Sequence, residues 1–103
     1  MSVLLEFAMF PTDKGESVSE YVSLIIEEIK QSGFDYRLTP MGTVVETDTF
    51  VEATAVMSRC YDALTDDCNR VYCSAKFDIR KNKGDRMNQK IQSIEDRIGD
   101  VNK

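Results

Sequence analysis

Two kinds of hydrophobic periodicity follow one another along the chain in a fixed order, which constrains the fold more than any other feature. Segments 2–10 and 71–79 alternate with a period of two, which predicts β-strands. Between them, segments 18–29 and 53–64 repeat apolar residues at helical spacing. The pattern therefore predicts a β-sheet. Two helices lie between its first and its last strand along the chain.

A short hairpin is predicted between the two helices. Strands at 35–39 and 43–48, rich in β-branched residues, flank the turn Pro40-Met41-Gly42. After the last strand, a further helix carries one narrow apolar stripe: Met87, Ile91, Ile94, Ile98 and Val101. The order β-α-β-β-α-β with an appended C-terminal helix predicts an α+β fold, a ferredoxin-like sandwich with both central helices on one face of the sheet.

Local signals place the helix ends. Ser17-Val18-Ser19-Glu20 and Thr49-Phe50-Val51-Glu52 both match a capping box, and Gly33 is expected to end the first helix. Alternation in the last strand predicts that Cys73 faces the core, with packing as its role.

The uncovered face of the sheet is predicted to be unusually apolar. Alternation assigns to it Leu4, Glu6, Ala8, Phe10, Arg37, Thr39, Tyr72, Ser74, Lys76 and Asp78. For the third strand, the pattern leaves open whether Val44 and Glu46 or the alternate set 43, 45 and 47 lie there. Because apolar side chains on such a face are unfavourable in water, we expect it to pack against another subunit, together with the final helix.

Composition limits the classes of function. At 103 residues the chain is expected to form one domain, residues 1–103, and its net charge of −5 argues against nucleic-acid binding. The segment M-S-V-L-L-E-F lacks a basic leader pattern, and no apolar run reaches membrane-spanning length, so we expect a soluble cytoplasmic protein. Cys60, Cys68 and Cys73 lack metal-ligand spacing and predict reduced thiols, with neither a metal nor a cofactor.

Catalysis is not expected from these residues. The chain contains no histidine, so acid–base chemistry would depend on Glu6, Glu46 or Asp78 in buried sites. Cross-strand pairing of Glu6 or Glu46 with Arg37 or Lys76 is the favoured interpretation of those carboxylates. We therefore assign no catalytic residue.

Hydroxyl groups mark two possible binding positions. Ser17 and Ser19 stand at a helix start, where a cap and a solvated residue account for them on spacing alone. Residues 39–43 form either an ordinary hairpin turn or a wall where Gly42 lets a ligand approach the backbone; the local pattern leaves both open. Tyr21 suits either stacking on a flat ring or packing.

Three ordered motifs resemble the YkoF-like thiamine-binding family over almost the whole chain. They are P-x-x-x-G-x-S-V-S-x-Y-V at 11–22, Y-x-L-T-P-M-G-T-x-x-E at 36–46 and R-V-x-x-x-x-K-x-D-x-R at 70–80, followed by Lys90 and Ser93. The resemblance implies a ferredoxin-like fold, dimers that pair into tetramers, and binding of thiamine or its hydroxymethylpyrimidine portion without catalysis.

By motif position, the resemblance implies these ligand-binding residues: Ser17, Ser19, Tyr21, Thr39, Met41, Gly42 and Thr43. Glu6 is added from its place on the uncovered sheet face, as a carboxylate suited to an aminopyrimidine or a thiazolium cation. The leading hypothesis is a cytoplasmic carrier, buffer or sensor. The alternatives are a structural or adaptor oligomer that binds another protein through its sheet face, and an enzyme of thiamine metabolism.

Overall fold

The elements follow the predicted order closely. The computed structural model describes residues 1–82 and 84–103. In chain order the elements are β1 (Ser2–Pro11), α1 (Ser19–Ser32), β2 (Asp35–Thr39), β3 (Gly42–Thr47), α2 (Phe50–Asp62), β4 (Val71–Arg80) and α3 (Arg86–Ile98). The basic segment Arg80-Lys81-Asn82-Lys83-Gly84 predicts a turn before the last helix, and its residue Lys83 lies outside the described residues.

The four strands form one antiparallel sheet in the order β2-β3-β1-β4. Helices α1 and α2 pack against each other and against its central strands. This is the predicted ferredoxin-like α+β sandwich with an added C-terminal helix. The core between sheet and helices includes the side chains of Val3, Leu5, Phe7, Ile25, Ile29, Val45, Ala53, Val56 and Cys60.

Strand register decides which side chains occupy the uncovered face of the sheet. Leu4 lies opposite Glu46 of β3 and Asp78 of β4, while Glu6 lies opposite Val44 and Lys76. Opposite residues of antiparallel strands share a face. Val44 and Glu46 therefore belong to the face that α1 and α2 leave uncovered, where the start of α3 packs over Glu46. This resolves the alternative left open by the sequence.

The prediction that Cys73 is a core residue is wrong. Cys73 lies opposite Met9 and thus on the helix side of the sheet, as alternation indicates, but its side chain is exposed. The reason is position, because β4 is the edge strand and the helices lie over β1 and β3. Alternation identifies a face of a strand but not what covers that face.

The two predicted capping boxes have different outcomes. At α2 the Thr49 hydroxyl accepts from the Glu52 amide at 3.1 Å, and the Glu52 carboxylate accepts from the Thr49 amide at 2.9 Å, which confirms the box. At α1 the prediction is wrong, since Val18 is the N-cap residue and no side chain caps the helix. The first helical residue, Ser19, comes too late for Ser17 to occupy the cap position.

Helix α3 is attached to the sheet by a polar group that we call the α3 cluster, which comprises the buried residues Ser2, Glu46 and Arg86 and the half-exposed Asp78. The Glu46 carboxylate accepts from the backbone amides of Arg86 at 2.9 Å and Met87 at 3.1 Å. Arg86, 1% exposed, donates to the Ser2 carbonyl at 2.9 Å and pairs with the Asp78 carboxylate at 3.0 Å. The acidic group thus satisfies the free amides at the start of α3.

The electrostatics of the α3 cluster favour the ionised form of Glu46. Burial raises the pKa of this carboxyl, but hydrogen bonds from the Ser2 hydroxyl and from the Met87 and Arg86 amides outweigh burial, so its pKa lies below the ordinary value. Glu46 therefore binds the backbone amides of Arg86 and Met87, and the predicted partners Arg37 and Lys76 are wrong for it. Lys76 does pair with Glu6, at 3.3 Å.

The rest of α3 is only partly packed. Asn88 accepts from Arg37 at 3.0 Å and Lys90 pairs with Asp78 at 3.0 Å. Along the predicted apolar stripe Met87 is buried, whereas Ile94 and Ile98 are exposed, the latter by 73%. Within residues 1–82 and 84–103, no helix combines the length and apolarity needed to span a membrane.

Candidate functional site

The turn of the β2–β3 hairpin is held together by one hydroxyl. Thr39 accepts hydrogen bonds from the amides of Met41 at 3.2 Å and Gly42 at 3.1 Å. It also donates to the Gly42 carbonyl at 2.8 Å. With three such bonds, the Thr39 hydroxyl is fully engaged in shaping the turn.

Gly42 allows the hairpin to lie close to β1. A Cβ atom built on Gly42 would lie 3.0 Å from the carbonyl oxygen of Phe7, closer than side chains normally approach. The neighbouring Met41 is 88% exposed at the tip of the turn. Gly42 therefore allows β3 and β1 to pack closely. The sequence pattern did not distinguish this role from that of letting a ligand approach the backbone.

A cavity of about 260 Å³, which we call the hairpin recess, lies between α1 and the hairpin end of the sheet. Its lining is almost entirely apolar: Phe7, Ala8, Met9, Phe10, Val18, Val22, Ile25, Ile26, Leu38, Thr39, Pro40, Met41, Gly42 and Thr43. Such a surface favours the flat, uncharged part of a ligand.

Thr43 supplies the free polar group of the hairpin recess. Its backbone lies opposite Phe7 of β1 and Leu38 of β2, which places its side chain on the helix side of the sheet. The residue is only 5% exposed. Within the described part of the chain, the Thr43 hydroxyl forms no hydrogen bond. It therefore remains available to a ligand.

A second, more open depression, which we call the helix groove, continues from the hairpin recess along α1. It has a volume of about 470 Å³ and is lined by Val18, Ser19, Val22, Ser23, Ile26, Glu27, Lys30 and Leu38. Ser19, predicted as a site residue, lies here, with its carbonyl accepting from the Ser23 hydroxyl at 2.7 Å. Ser17 is exposed and is absent from the linings of both the recess and the groove.

Tyr21 joins α1 to the loop before β4. Its hydroxyl donates to the Asp67 carboxylate at 2.7 Å, and Lys14 lies 3.4 Å from the same carboxylate. The hydrogen bond to Asp67 raises the pKa of Tyr21 to about 12. The residue does not line the hairpin recess, and its hydroxyl already has a partner within the protein.

Glu6 lies on the opposite face of the sheet. It lines a third depression of about 310 Å³, which we call the sheet-face recess and which also includes Phe7, Ala8, Met41, Ser74 and Lys76. Because Lys76 pairs with Glu6 at 3.3 Å, the charge of this carboxylate is already balanced.

The structure therefore brings together only part of the predicted set. Thr39, Met41, Gly42 and Thr43 line the hairpin recess, while the other predicted residues lie elsewhere. Sequence reasoning missed the apolar residues of α1 and β1 as walls of this recess. Their helical and alternating spacing marks them as buried, but it does not distinguish a filled core from the wall of a cavity.

Metal chemistry has no visible basis in the described residues. They contain no group of three or more His, Cys, Asp or Glu side chains placed to hold an ion. The three cysteines are free, with Cys60 and Cys68 buried. Burial raises the pKa of the Cys60 thiol to about 12, so this group is not an activated nucleophile.

These features define a ferredoxin-like domain with an apolar recess at the hairpin end of its sheet. The thiamine-binding protein family model matches residues 5–95, and the chain belongs to that family.

Individual relatives agree with this assignment. The UPF0045 protein Mb1933 of Mycobacterium bovis is 37% identical over 95 residues, covering 92% of this chain and 93% of the relative. The crystal structure of MJ1052 from Methanocaldococcus jannaschii has a TM-score of 0.81 at 32% identity, covering 90% and 95% of the two chains. TM0486 of Thermotoga maritima, provisionally named for thiamine biosynthesis or salvage, has a TM-score of 0.78 at 19% identity, covering 91% and 99%. That last likeness supports the fold alone.

Proposed function

We propose that the protein is a non-catalytic, cytoplasmic binding protein that holds thiamine or its hydroxymethylpyrimidine portion in the hairpin recess. In this role it acts as a carrier, buffer or sensor. The observation that carries the proposal is the apolar recess with the unused Thr43 hydroxyl. Membership of the thiamine-binding protein family supplies the ligand class.

The chemistry of the recess suits a pyrimidine. A flat aromatic ring gains from contact with the apolar walls, which include Phe7 and Ile25. Its donor–acceptor edge needs a small number of hydrogen-bonding groups, and the Thr43 hydroxyl is one that can both donate and accept.

A binding role without turnover is supported by the state of the carboxylates. Glu46 is held in its ionised form by the α3 cluster, whereas a general acid near neutral pH requires a raised pKa. Glu6 is exposed and paired with Lys76. Neither group lines the hairpin recess.

We further propose that the protein works as a homo-oligomer, a dimer or tetramer, joined through the uncovered sheet face and α3. Phe10 and Tyr72 pack on that face in a tilted arrangement with ring centroids 5.8 Å apart, and Tyr72 is 54% exposed. Ile94 and Ile98 add exposed apolar surface on α3. A second copy of the chain would remove these side chains from water, a favourable change at such a surface.

The second candidate function is an adaptor. The same exposed surface of β4 and α3 would suit a different protein instead of a second copy. This candidate assigns no role to the hairpin recess, so ligand binding separates the two hypotheses.

The test is a matched pair of variants in the recess. Thr43→Val removes the hydroxyl but keeps the shape, and Thr43→Ser keeps the hydroxyl. Wild type should show a ligand-dependent rise in melting temperature with hydroxymethylpyrimidine, because a ligand that binds only the native state stabilises it. By calorimetry, Thr43→Val should lose about fivefold in affinity, the value of one neutral hydrogen bond, and Thr43→Ser should not.

The contrary result is equally clear. If millimolar thiamine and hydroxymethylpyrimidine leave the melting temperature of the wild type unchanged, the binding proposal fails. Sedimentation equilibrium of wild type and Ile98→Glu tests the oligomer separately. A wild-type monomer, or an assembly that the new charge leaves unaltered, would exclude α3 from the contact.

A further inference from the structure

The hairpin recess is small for a two-ring ligand. Its volume of about 260 Å³ lies near the lower end, roughly 300 Å³, of the range for pockets that hold drug-sized ligands. With one ring in the recess, a second ring joined to it can extend into a neighbouring depression. This step rests on the proposed function, since it takes the recess to be the ligand site.

Two depressions adjoin the recess. The helix groove shares four of its lining residues, Val18, Val22, Ile26 and Leu38. The sheet-face recess shares Phe7, Ala8 and Met41. Both offer a carboxylate, so the deciding question is which carboxylate is free to bind a positive charge.

The two carboxylates differ in their surroundings. Glu6 in the sheet-face recess already pairs with Lys76 at 3.3 Å. Glu27 in the helix groove forms no ion pair within 4 Å in the described part of the chain. It follows Ser19 and Ser23 at intervals of four residues along one side of α1, so the three polar groups lie in a row. Lys30 lines the groove one turn further along the helix.

We propose that Glu27 binds the positively charged ring of a two-ring ligand whose uncharged ring occupies the hairpin recess. Glu27 is therefore the residue that distinguishes a cationic ligand such as thiamine, with its thiazolium charge, from the neutral hydroxymethylpyrimidine. Its carboxylate attracts the cation across the exposed groove, and this attraction is weakened by salt.

The experiment compares Glu27→Gln with the matched control Glu6→Gln, using calorimetry with thiamine and with hydroxymethylpyrimidine. Glu27→Gln should weaken thiamine binding about threefold, in the range of an exposed charge pair, and leave hydroxymethylpyrimidine unchanged. Glu6→Gln should change neither affinity. The threefold difference should shrink at high salt.

Every other outcome contradicts either the role of Glu27 or the proposed function. If both ligands bind wild type but thiamine binds Glu27→Gln unchanged, the role of Glu27 is excluded. An equal loss for both ligands in Glu27→Gln indicates a structural effect and also excludes it, as does a loss of thiamine affinity in Glu6→Gln alone. If wild type binds neither ligand, the proposed function itself fails.

Discussion

The two ends of the sheet are built on opposite physical principles. At the α3 end, the buried Glu46 carboxylate accepts hydrogen bonds from the start of α3, and the buried Arg86 side chain donates to the Ser2 carbonyl and pairs with Asp78. At the hairpin end, apolar walls surround a space and Thr43 keeps a free hydroxyl within the described structure. At the α3 end the polar groups hold a helix in place, whereas the hairpin end leaves space for a ligand.

The largest expected effect comes from breaking the α3 end. Arg86→Met removes the buried guanidinium that donates to the Ser2 carbonyl and pairs with Asp78, and with it a positive charge that favours the ionised form of the buried Glu46 carboxylate. Breaking a buried charged network in this way is strongly destabilising. We expect the free energy of unfolding, measured in urea, to fall by roughly 3 kcal/mol. Arg97→Met in the exposed last turn of α3 is the control and should change it by less than about 0.5 kcal/mol. A variant at residue 86 that unfolds like wild type would show that the cluster does not hold α3.

A smaller effect is expected at the hairpin end. In Gly42→Ala the new methyl group would meet the Phe7 carbonyl oxygen at 3.0 Å, which forces β3 away from β1. We expect a loss of roughly 1 kcal/mol in unfolding free energy together with weaker hydroxymethylpyrimidine binding. Gly84→Ala, where the added carbon meets open space, is the control. Unchanged binding in Gly42→Ala would separate the hairpin geometry from the ligand site.

Acid should weaken the α3 end and spare the recess, which has no carboxylate in its lining. The folded pKa of Glu46 lies below its ordinary value of 4.5, so the stabilising contribution is present above pH 4.5 and is lost as the pH falls through the lower folded pKa. Unfolding free energy measured against pH should therefore decline in that window. Glu46→Gln should show a flatter profile there; an identical slope would assign the decline to other carboxylates.

The smallest effect is expected for Tyr21→Phe, which tests a residue assigned to the site by resemblance. The variant loses the hydrogen bond to Asp67 that raises the pKa of Tyr21 to about 12. We expect a slight loss of stability and unchanged ligand affinity, and the absorbance change of a tyrosine that ionises near pH 12 should disappear from a spectrophotometric titration. A marked loss of affinity in this variant would return Tyr21 to the binding site.

Much of the fold could be predicted because local pattern and packing agree. Hydrophobic periodicity predicted the positions of the strands and helices. The capping box at Thr49 and Glu52 was predicted correctly because both partners lie within one helical turn. The exposure of Cys73 could not be predicted, since it depends on β4 being the edge strand. The hydrogen bond from the Arg86 amide to the Glu46 carboxylate joins residues 40 positions apart, beyond any local pattern.

The site was less predictable for a related reason. The turn motif marked Thr39 and Thr43 alike, but only the register reveals that Thr43 faces the helices. The hydroxyl of Thr39 is hydrogen-bonded within its own turn. Residue spacing alone does not distinguish such a hydroxyl from a free one. A cavity forms where side chains do not fill the space between elements, and hydrophobic periodicity does not show where this happens.

The strand order has a consequence for how the chain folds. Within residues 1–82 and 84–103, β4 pairs with β1, the first strand, and with no other strand, so the sheet cannot close until residues some 70 positions apart have met. Contacts this distant in sequence slow folding, because the entropy of closing the long loop is lost before the strands gain anything from pairing. During synthesis β1 therefore keeps an open edge until the last strand emerges, and α3 can dock only afterwards, since its anchors Ser2 and Asp78 come from those two strands.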